Sequence, residues 1–280
     1  MGQVGLFTGI GAVYLLGGAL SLGTVFLSNL RARKPLVPRL RMRHTLICGG
    51  LFIAYTVLLF VAIGMSKNKM QVMEVAMINY FWPTATLLCS LIILRNRARG
   101  VMLTCGTLLA LGGIFAVVII SNDLPLNARA ITANFLTNPA IYAMAFVAAL
   151  SWALYSNFAR LYAEEDNPYS VPLFLFVSGM ILYSASGFTA ETREWTFRAG
   201  MELVVMAALP TGLAYTLWGL AMRGGNMVLL VVTSYFAPLV ASVFSALYLG
   251  VSVKPVFWLA CLFVVAGALL SKAAVHDRQA

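Results

Sequence analysis

Charged residues are scarce in this chain of 280 residues: they make up 10% of it, whereas hydrophobic residues make up 61%. Soluble domains contain about 25% charged residues, so the deficit excludes an ordinary soluble domain and indicates a bilayer as the solvent. The net charge of +10 would suit nucleic acid if the basic residues formed a patch. They lie instead in short gaps between long apolar runs, as in membrane proteins with basic cytoplasmic loops. We therefore expect no nucleic-acid partner.

The sequence also has few residues of the kinds that enzymes and metal sites use. Its two histidines, His44 and His276, lie at the edge of an apolar run and in the C-terminal tail, and Asp123, Asp166 and Asp277 lie in loops or the tail. An intramembrane hydrolase needs a serine–histidine pair, paired aspartates or a metal cluster within the spans. Four cysteines lie in apolar runs without C-x-x-C spacing and are interpreted as packing residues: Cys48, Cys89, Cys105 and Cys261. We expect no enzyme, no metal and no cofactor.

Nine apolar runs predict an all-α polytopic membrane protein. Each run is close to the roughly 20 residues that cross a bilayer core, and helices are required because lipid cannot satisfy exposed backbone groups. The predicted spans are 4–29, 44–65, 70–94, 101–120, 138–161, 169–188, 200–222, 226–249 and 255–273.

Basic residues between the spans predict the orientation. Counting spans assigns 13 of the 19 basic residues to one side, namely Arg31, Arg33, Lys34, Arg39, Arg41, Arg43, Arg95, Arg97, Arg99, Arg160, Arg223, Lys272 and Arg278. The positive-inside rule makes that side cytoplasmic. The C-terminus is then predicted inside, and the N-terminus at Met1 outside.

An internal repeat relates two parts of the chain. The segment Asn79–Pro83 (NYFWP) resembles Ser234–Pro238 (SYFAP), and the offset of 155 holds without a gap for about 40 residues. Upstream, Ala54–Thr56 (AYT) recurs as Ala214–Thr216. Chance matching of apolar letters is the alternative, but two aligned Tyr-Phe-x-Pro sequences favour a duplication.

The repeat predicts two helical bundles of opposite orientation. An N-terminal half, 1–121, holds four helices, and a C-terminal half, 138–273, holds five, of which the helix at 138–161 has no partner. Five helices per half would complete the symmetry, and a helix upstream of residue 1 would place the N-terminus inside. Repeat and charge therefore lead us to expect such a helix, with a natural nine-helix protein as the alternative. Inverted repeats are typical of secondary transporters, whose substrate sites lie near the midplane.

The paired prolines mark a candidate site. Pro83 and Pro238 lie near the middle of their helices, and proline cannot donate to the carbonyl four residues earlier. The carbonyls freed belong to Asn79 and Ser234, so each half places a polar side chain and an unpaired carbonyl at similar depth. Such groups are costly in lipid unless they face protein or a wet cavity. A kink that only shapes packing is the alternative.

Aromatic residues accompany these kinks. Trp152 and Tyr155 are three residues apart, as are Tyr215 and Trp218, and Trp82 follows Asn79 at the same spacing. Aromatic side chains at a membrane boundary form an interfacial belt, which explains mid-helix residues poorly, but core packing explains them as well as cavity lining does. A cavity with aromatic walls would suit planar apolar substrates and an ammonium group.

Glu74 is the one acid that lies clearly within a predicted span and away from a loop. Acids within the membrane mark proton or substrate paths by default. Glu74 also lies in the second turn of its helix, where an acid complements the helix dipole. A role in coupling or gating and a structural role both remain open.

From Glu74 to Pro83 the sequence resembles the drug/metabolite transporter superfamily, the EamA group, and within it the amino-acid exporters. Further resemblances are Ala149–Tyr155, Ala214–Trp218 and Ser234–Pro238, so the likeness covers essentially the whole chain. It implies two five-helix halves around a central cavity, alternating access and efflux from the cytoplasm. Residues 2–30 resemble the second helix of the superfamily, which agrees with a further helix upstream.

The resulting hypothesis is a monomeric exporter of aromatic and other neutral amino acids in the bacterial inner membrane. Its substrates would include phenylalanine, tryptophan, tyrosine, threonine and methionine, and lipid would be its other partner. The predicted substrate contacts are Tyr55, Asn79, Tyr80, Trp82, Trp152, Tyr155, Tyr215, Trp218, Ser234 and Tyr235. A carrier of another metabolite or drug is the alternative. A channel is less favoured, because no charge-ringed filter is visible.

Overall fold

The computed structural model describes residues 4–36, 40–121, 128–165, 167–249 and 255–276. Met1, Arg39, Asp123, Asp166, Asp277 and Arg278, which entered the predictions above, lie outside the described residues. The helices are α1 (Leu6–Arg31), α2 (Met42–Gly64), α3 (Lys69–Asn79), α4 (Trp82–Ile93), α5 (Gly100–Ser121), α6 (Ala128–Thr137), α7 (Pro139–Leu161), α8 (Ser170–Ala185), α9 (Phe197–Met206), α10 (Ala214–Gly224), α11 (Met227–Ser234), α12 (Ala237–Leu249) and α13 (Pro255–Ala274).

Within these ranges nine stretches are long and apolar enough to cross a membrane, and they lie where the hydropathy predicts them. They are Leu6–Arg31, Met42–Gly64, Lys69–Ile93, Gly100–Ile120, Pro139–Leu161, Ser170–Phe188, Phe197–Gly224, Met227–Phe244 and Pro255–Ala274. The predicted class, an all-α polytopic membrane protein, is confirmed.

Several short features lie outside the predicted spans or interrupt them. Strands β1 (Arg97–Ala98) and β2 (Val275–His276) form one antiparallel pair. Helix α6 occupies part of a segment that the sequence prediction treated as a connection. A π-helical turn, Ala207–Leu213, joins α9 to α10 and contains Pro210. Since a π-turn leaves the regular hydrogen-bond ladder, the seventh span is interrupted near its middle.

The chain divides into two compact units. The first comprises Met1–Phe60 and Phe158–Gly224, and the second comprises Val61–Asn157 and Gly225–Ala280. Each unit therefore takes segments from both of the halves that the repeat predicts. The division into two halves of opposite orientation stays a prediction.

Glycine brings α1 and α8 of the first unit close together. A β-carbon at Gly11 would lie 2.5 Å from the backbone nitrogen of Tyr183, and one at Gly18 would lie 2.6 Å from that of Phe176. Small residues let helices pack closely where lipid supplies no hydrophobic drive. The two contacts run in opposite order along the helices, so α1 and α8 are antiparallel.

Helices α5 and α13 of the second unit pack in the same way. A β-carbon at Gly106 would lie 2.7 Å from the backbone nitrogen of Ser271, and one at Gly113 would lie 2.7 Å from that of Val264. This pair is also antiparallel, because the contacts run in opposite order. Both pairs join helices that the sequence repeat matches with each other.

A carboxylate from a distant loop caps α1. Glu191 accepts hydrogen bonds from the backbone N–H of Phe7 (2.8 Å) and of Thr8 (2.8 Å), and from the Thr8 hydroxyl (2.9 Å). Burial opposes ionisation of this carboxyl, but the three donors and the charge of Arg193 outweigh it and lower the pKa of Glu191. The cap satisfies amides that a helix start leaves without partners.

Candidate functional site

The third span is broken where Pro83 lacks an amide hydrogen. Helix α3 ends at Asn79, and α4 starts at Trp82 with Pro83 in its first turn. Between them the amide of Phe81 donates to the carbonyl of Ile78 at 3.0 Å, a tighter turn than the α-helical one. Proline in a first turn loses no helical hydrogen bond, so the sequence favours two short helices over one long kinked helix.

The eighth span is broken in the same manner. Helix α11 ends at Ser234, and Pro238 is the second residue of α12. The amide of Tyr235 donates to the carbonyl of Val232 at 3.2 Å, and the Ser234 hydroxyl donates to the carbonyl of Val231 at 2.5 Å. The Ser234 hydroxyl oxygen keeps acceptor capacity.

A buried hydrogen bond joins the two breaks. The hydroxyls of Thr84 and Tyr235 lie 2.9 Å apart, and these residues are only 4% and 0% exposed. Thr84 follows Pro83 directly, and Tyr235 precedes Pro238 by three residues. A shift of either break therefore stretches or breaks this bond unless the other break follows.

An aromatic cluster lies beside the first break, in the second unit. The rings of Trp82 and Trp152 meet edge to face with centroids 6.1 Å apart, and those of Trp152 and Tyr155 lie 5.1 Å apart. Trp152 and Tyr155 are buried, Trp82 is half-buried, and Tyr80 is half-buried within the break itself. Three of the predicted substrate contacts thus form one apolar wall.

Two amide oxygens near this wall accept no hydrogen bond from the described part of the chain: Oδ1 of Asn79 and Oδ1 of Asn157. Asn157 donates through Nδ2 to the carbonyls of Thr86 (3.0 Å) and Ala153 (2.8 Å), which fixes its orientation against α4. A buried acceptor without a donor is costly. Sequence reasoning missed Asn157, although an amide side chain within an apolar span is itself a signal.

The other predicted aromatic contacts lie in the first unit. Tyr215 shares a hydrogen bond of 2.8 Å with the hydroxyl of Tyr14, and its ring packs on Phe52 at 5.2 Å. Tyr55 on α2 and Trp218 on α10 are half-buried. Sequence reasoning did not single out Tyr14, because nothing in the pattern of α1 distinguishes it from a packing residue.

Glu74 lies apart from the aromatic cluster. It precedes Trp82 by eight residues and belongs to α3, whereas Trp82 begins α4. Its carboxylate accepts a hydrogen bond of 2.5 Å from the Tyr142 hydroxyl and longer ones, 3.2 and 3.4 Å, from Nδ2 of Asn134. Both donors are neutral.

The described residues contain no group of three or more histidine, cysteine, aspartate or glutamate side chains suited to a metal ion. The polar groups at the breaks are amides, hydroxyls and carbonyls. Such groups can hold a small polar molecule by hydrogen bonds.

Known proteins share both sequence and fold with this chain. Residues 139–272 match the EamA-like transporter family. The aromatic amino acid exporter YddG of Escherichia coli (strain K12) is 30% identical over 271 residues, which cover 96% of this chain and 87% of that protein. The chain belongs to the EamA-like transporter family. This membership confirms the resemblance drawn from the sequence and indicates a transporter rather than an enzyme.

Further relatives extend the family likeness. The aromatic amino acid exporter YddG of Salmonella typhimurium (strain 14028s / SGSC 2262) is 29% identical over 278 residues, which cover 99% of this chain and 90% of that protein. A solved crystal structure shares the fold with a TM-score of 0.79 at 20% identity, over 96% of this chain and 88% of its own. The fold of that structure therefore extends over nearly the whole of this chain.

Proposed function

We propose that this EamA-like chain exports neutral amino acids, aromatic ones among them, across the bacterial inner membrane by alternating access. The observation that carries the proposal is the wall of Trp82, Trp152 and Tyr155 beside a helix break with a buried, unpartnered amide oxygen on Asn79. The relatives named aromatic amino acid exporters, about 30% identical, support it.

The groups at the breaks suit the two ends of an amino acid. Oδ1 of Asn79 and the carbonyls near the break accept hydrogen bonds from the substrate's ammonium, which is a donor only. The Ser234 hydroxyl is the proposed partner of its carboxylate, after release from the carbonyl of Val231. Aromatic faces contact the side chain and attract the ammonium. Tyr55, Tyr80, Tyr215, Trp218 and Tyr235 stay predicted contacts.

Bending at the two breaks is the proposed motion of transport. Where two short helices are joined by non-helical residues, a change in backbone dihedral angles at a few positions can reorient one helix against the other. The Thr84–Tyr235 hydrogen bond couples the two breaks to each other. By the positive-inside rule we place the C-terminus in the cytoplasm, and we propose that a monomer suffices.

Efflux of labelled phenylalanine from proteoliposomes tests this function. Trp152→Ala should lower the flux about tenfold or more, because it removes the centre of the aromatic wall. Trp258→Ala is the matched control, since Trp258 is 55% exposed on α13, and its flux should stay within about twofold of the unmodified protein. Absence of phenylalanine flux in either direction, or equal losses in both variants, would overturn the proposal.

A carrier of another metabolite is the second candidate, supported by the family assignment itself. A panel of tryptophan, threonine, methionine, an organic acid and a sugar in the same vesicles separates the two functions. Glu74 is the predicted coupling or gating residue. If flux in Glu74→Gln responds to an imposed pH gradient as fully as in the unmodified protein, obligate coupling through Glu74 is excluded.

A further inference from the structure

A cavity of about 530 Å³ lies in the second unit, and no residue of the aromatic wall lines it. Helices α3, α5, α6 and α7 line it mainly with apolar side chains, among them Met70, Met77, Phe115, Ile119 and Phe135. The volume lies in the range of small-molecule sites, which are mostly apolar with a few convergent polar groups.

Among the described residues that line this cavity, Glu74 is the one charged side chain. Its donors are the Tyr142 hydroxyl and the Asn134 amide, and no basic residue of the described chain forms an ion pair with it. A carboxylate in apolar surroundings is unfavourable without an opposite charge. The negative charge of Glu74 therefore favours the binding of one cation in this cavity.

Aromatic side chains also line this cavity. The rings of Phe135 and Tyr142 lie 5.4 Å apart, and both residues line the cavity. Aromatic faces attract ammonium groups. Helix α6 covers this side and is tied to α3 through Asn134, whose carbonyl oxygen accepts from Gln71 and whose Oδ1 accepts from Asn68, both at 3.2 Å.

We propose that this cavity binds an organic ammonium cation with an apolar body and no acid group. A zwitterionic amino acid fits it poorly, because its carboxylate would approach Glu74 and no lining residue is basic. The site is distinct from the proposed amino-acid site, since neither Asn79 nor any ring of the aromatic wall lines the cavity.

Equilibrium dialysis against the full chain in phosphatidylglycerol nanodiscs tests the site with labelled phenethylammonium and neutral 2-phenylethanol. Glu74→Gln should weaken phenethylammonium binding about tenfold or more, the loss expected for a charge-assisted hydrogen bond. It should leave 2-phenylethanol within about twofold. Glu202→Gln is the control, because Glu202 is an acid on a different helix, α9, paired with Arg198, and it should change neither probe.

Ile119→Trp provides a second test that keeps the carboxylate. It fills the cavity from α5 and should weaken both probes. Trp152→Ala should weaken phenylalanine binding but not phenethylammonium binding, which separates this site from the proposed transport site. Equal phenethylammonium affinity in the unmodified protein and Glu74→Gln, or in the unmodified protein and Ile119→Trp, would overturn the proposal.

Discussion

The glycine-packed helix pairs and the proline-broken helices use their backbones in opposite ways. In the α1–α8 and α5–α13 pairs, continuous helices approach so closely that a single added methyl group meets the backbone opposite. Just before Pro83 and Pro238 one helix ends and another begins, and side chains such as Thr84 and Tyr235 make the contacts there. Close packing resists displacement of one helix against the other, whereas a break confines backbone movement to a few residues. We infer that the glycine pairs are the fixed frame and the breaks are the moving parts.

The largest expected effect is on the frame. Gly113→Ala should destabilise the folded protein by about 1–3 kcal/mol, because the new β-carbon would lie 2.7 Å from the backbone of Val264 and the pair must separate. Thermal denaturation in detergent measures the loss.

The neighbouring glycine is a matched control, since nothing lies within 4 Å of a β-carbon at Gly112. Gly112→Ala should therefore leave the melting temperature unchanged or raise it slightly. The same contrast should appear in α1 between Gly18, which faces Phe176, and Gly23, which faces open space. If Gly113→Ala melted at the same temperature as Gly112→Ala, and Gly18→Ala at the same temperature as Gly23→Ala, close packing at glycine would not be what stabilises these helix pairs.

The next largest effect is expected on transport, at the helix break before Pro83. Pro83→Ala restores an amide hydrogen four residues after Asn79 and favours one continuous helix. Phenylalanine exchange should slow about tenfold, equivalent to about 1.4 kcal/mol of barrier, while thermal stability stays level or rises. Pro255→Ala is the control, because Pro255 begins its span, whereas Pro83 lies inside one between two short helices. Full exchange activity in Pro83→Ala would contradict a bending role.

The Thr84–Tyr235 hydrogen bond, which links the two breaks, should contribute about 1 kcal/mol to the free energy of unfolding. Tyr235→Phe leaves the buried Thr84 hydroxyl without this partner, and Thr84→Val does the same to the hydroxyl of Tyr235. The double variant should lose less than the sum of the single losses, a coupling that a double-mutant cycle of unfolding free energies measures. Strict additivity would mean that the two breaks are not joined through this bond.

The smallest expected effect concerns the capped end of α1. Glu191→Gln should cost about 0.5–1 kcal/mol at neutral pH, because the amide nitrogen that replaces one carboxylate oxygen cannot accept the hydrogen bond from Phe7 or Thr8. The folded-state pKa of Glu191 is lowered, so the carboxylate stabilises the fold above its usual pKa and this contribution disappears as the pH falls through the folded pKa. Melting temperatures of the two proteins should therefore converge in acid. A gap that is unchanged between pH 7 and pH 3 would contradict this role.

The sequence was informative where the physics is local or periodic. Hydropathy predicted all nine stretches, because a span of about 20 apolar residues is encoded residue by residue. Proline chemistry likewise marked both breaks. Helix α6 was missed because ten residues are too few to cross a membrane. The Glu191 cap was missed because its partners lie 183 and 184 residues away along the chain.

The polar details of the site also depend on tertiary contacts. Asn157 gains its role from the Thr86 carbonyl on another helix, which periodicity cannot reveal. Glu74 was visible as an acid within a span, but its neutral donors and its cavity come from α6 and α7.

Hydrogen–deuterium exchange in nanodiscs, with and without phenylalanine, tests the division into frame and moving parts most directly. Phenylalanine should slow exchange in peptides that contain the amides of Phe81 and Tyr235, while peptides from α5 and α13 exchange slowly and equally in both conditions. A substrate effect confined to α5 and α13, or none at the breaks at saturating phenylalanine, would contradict it.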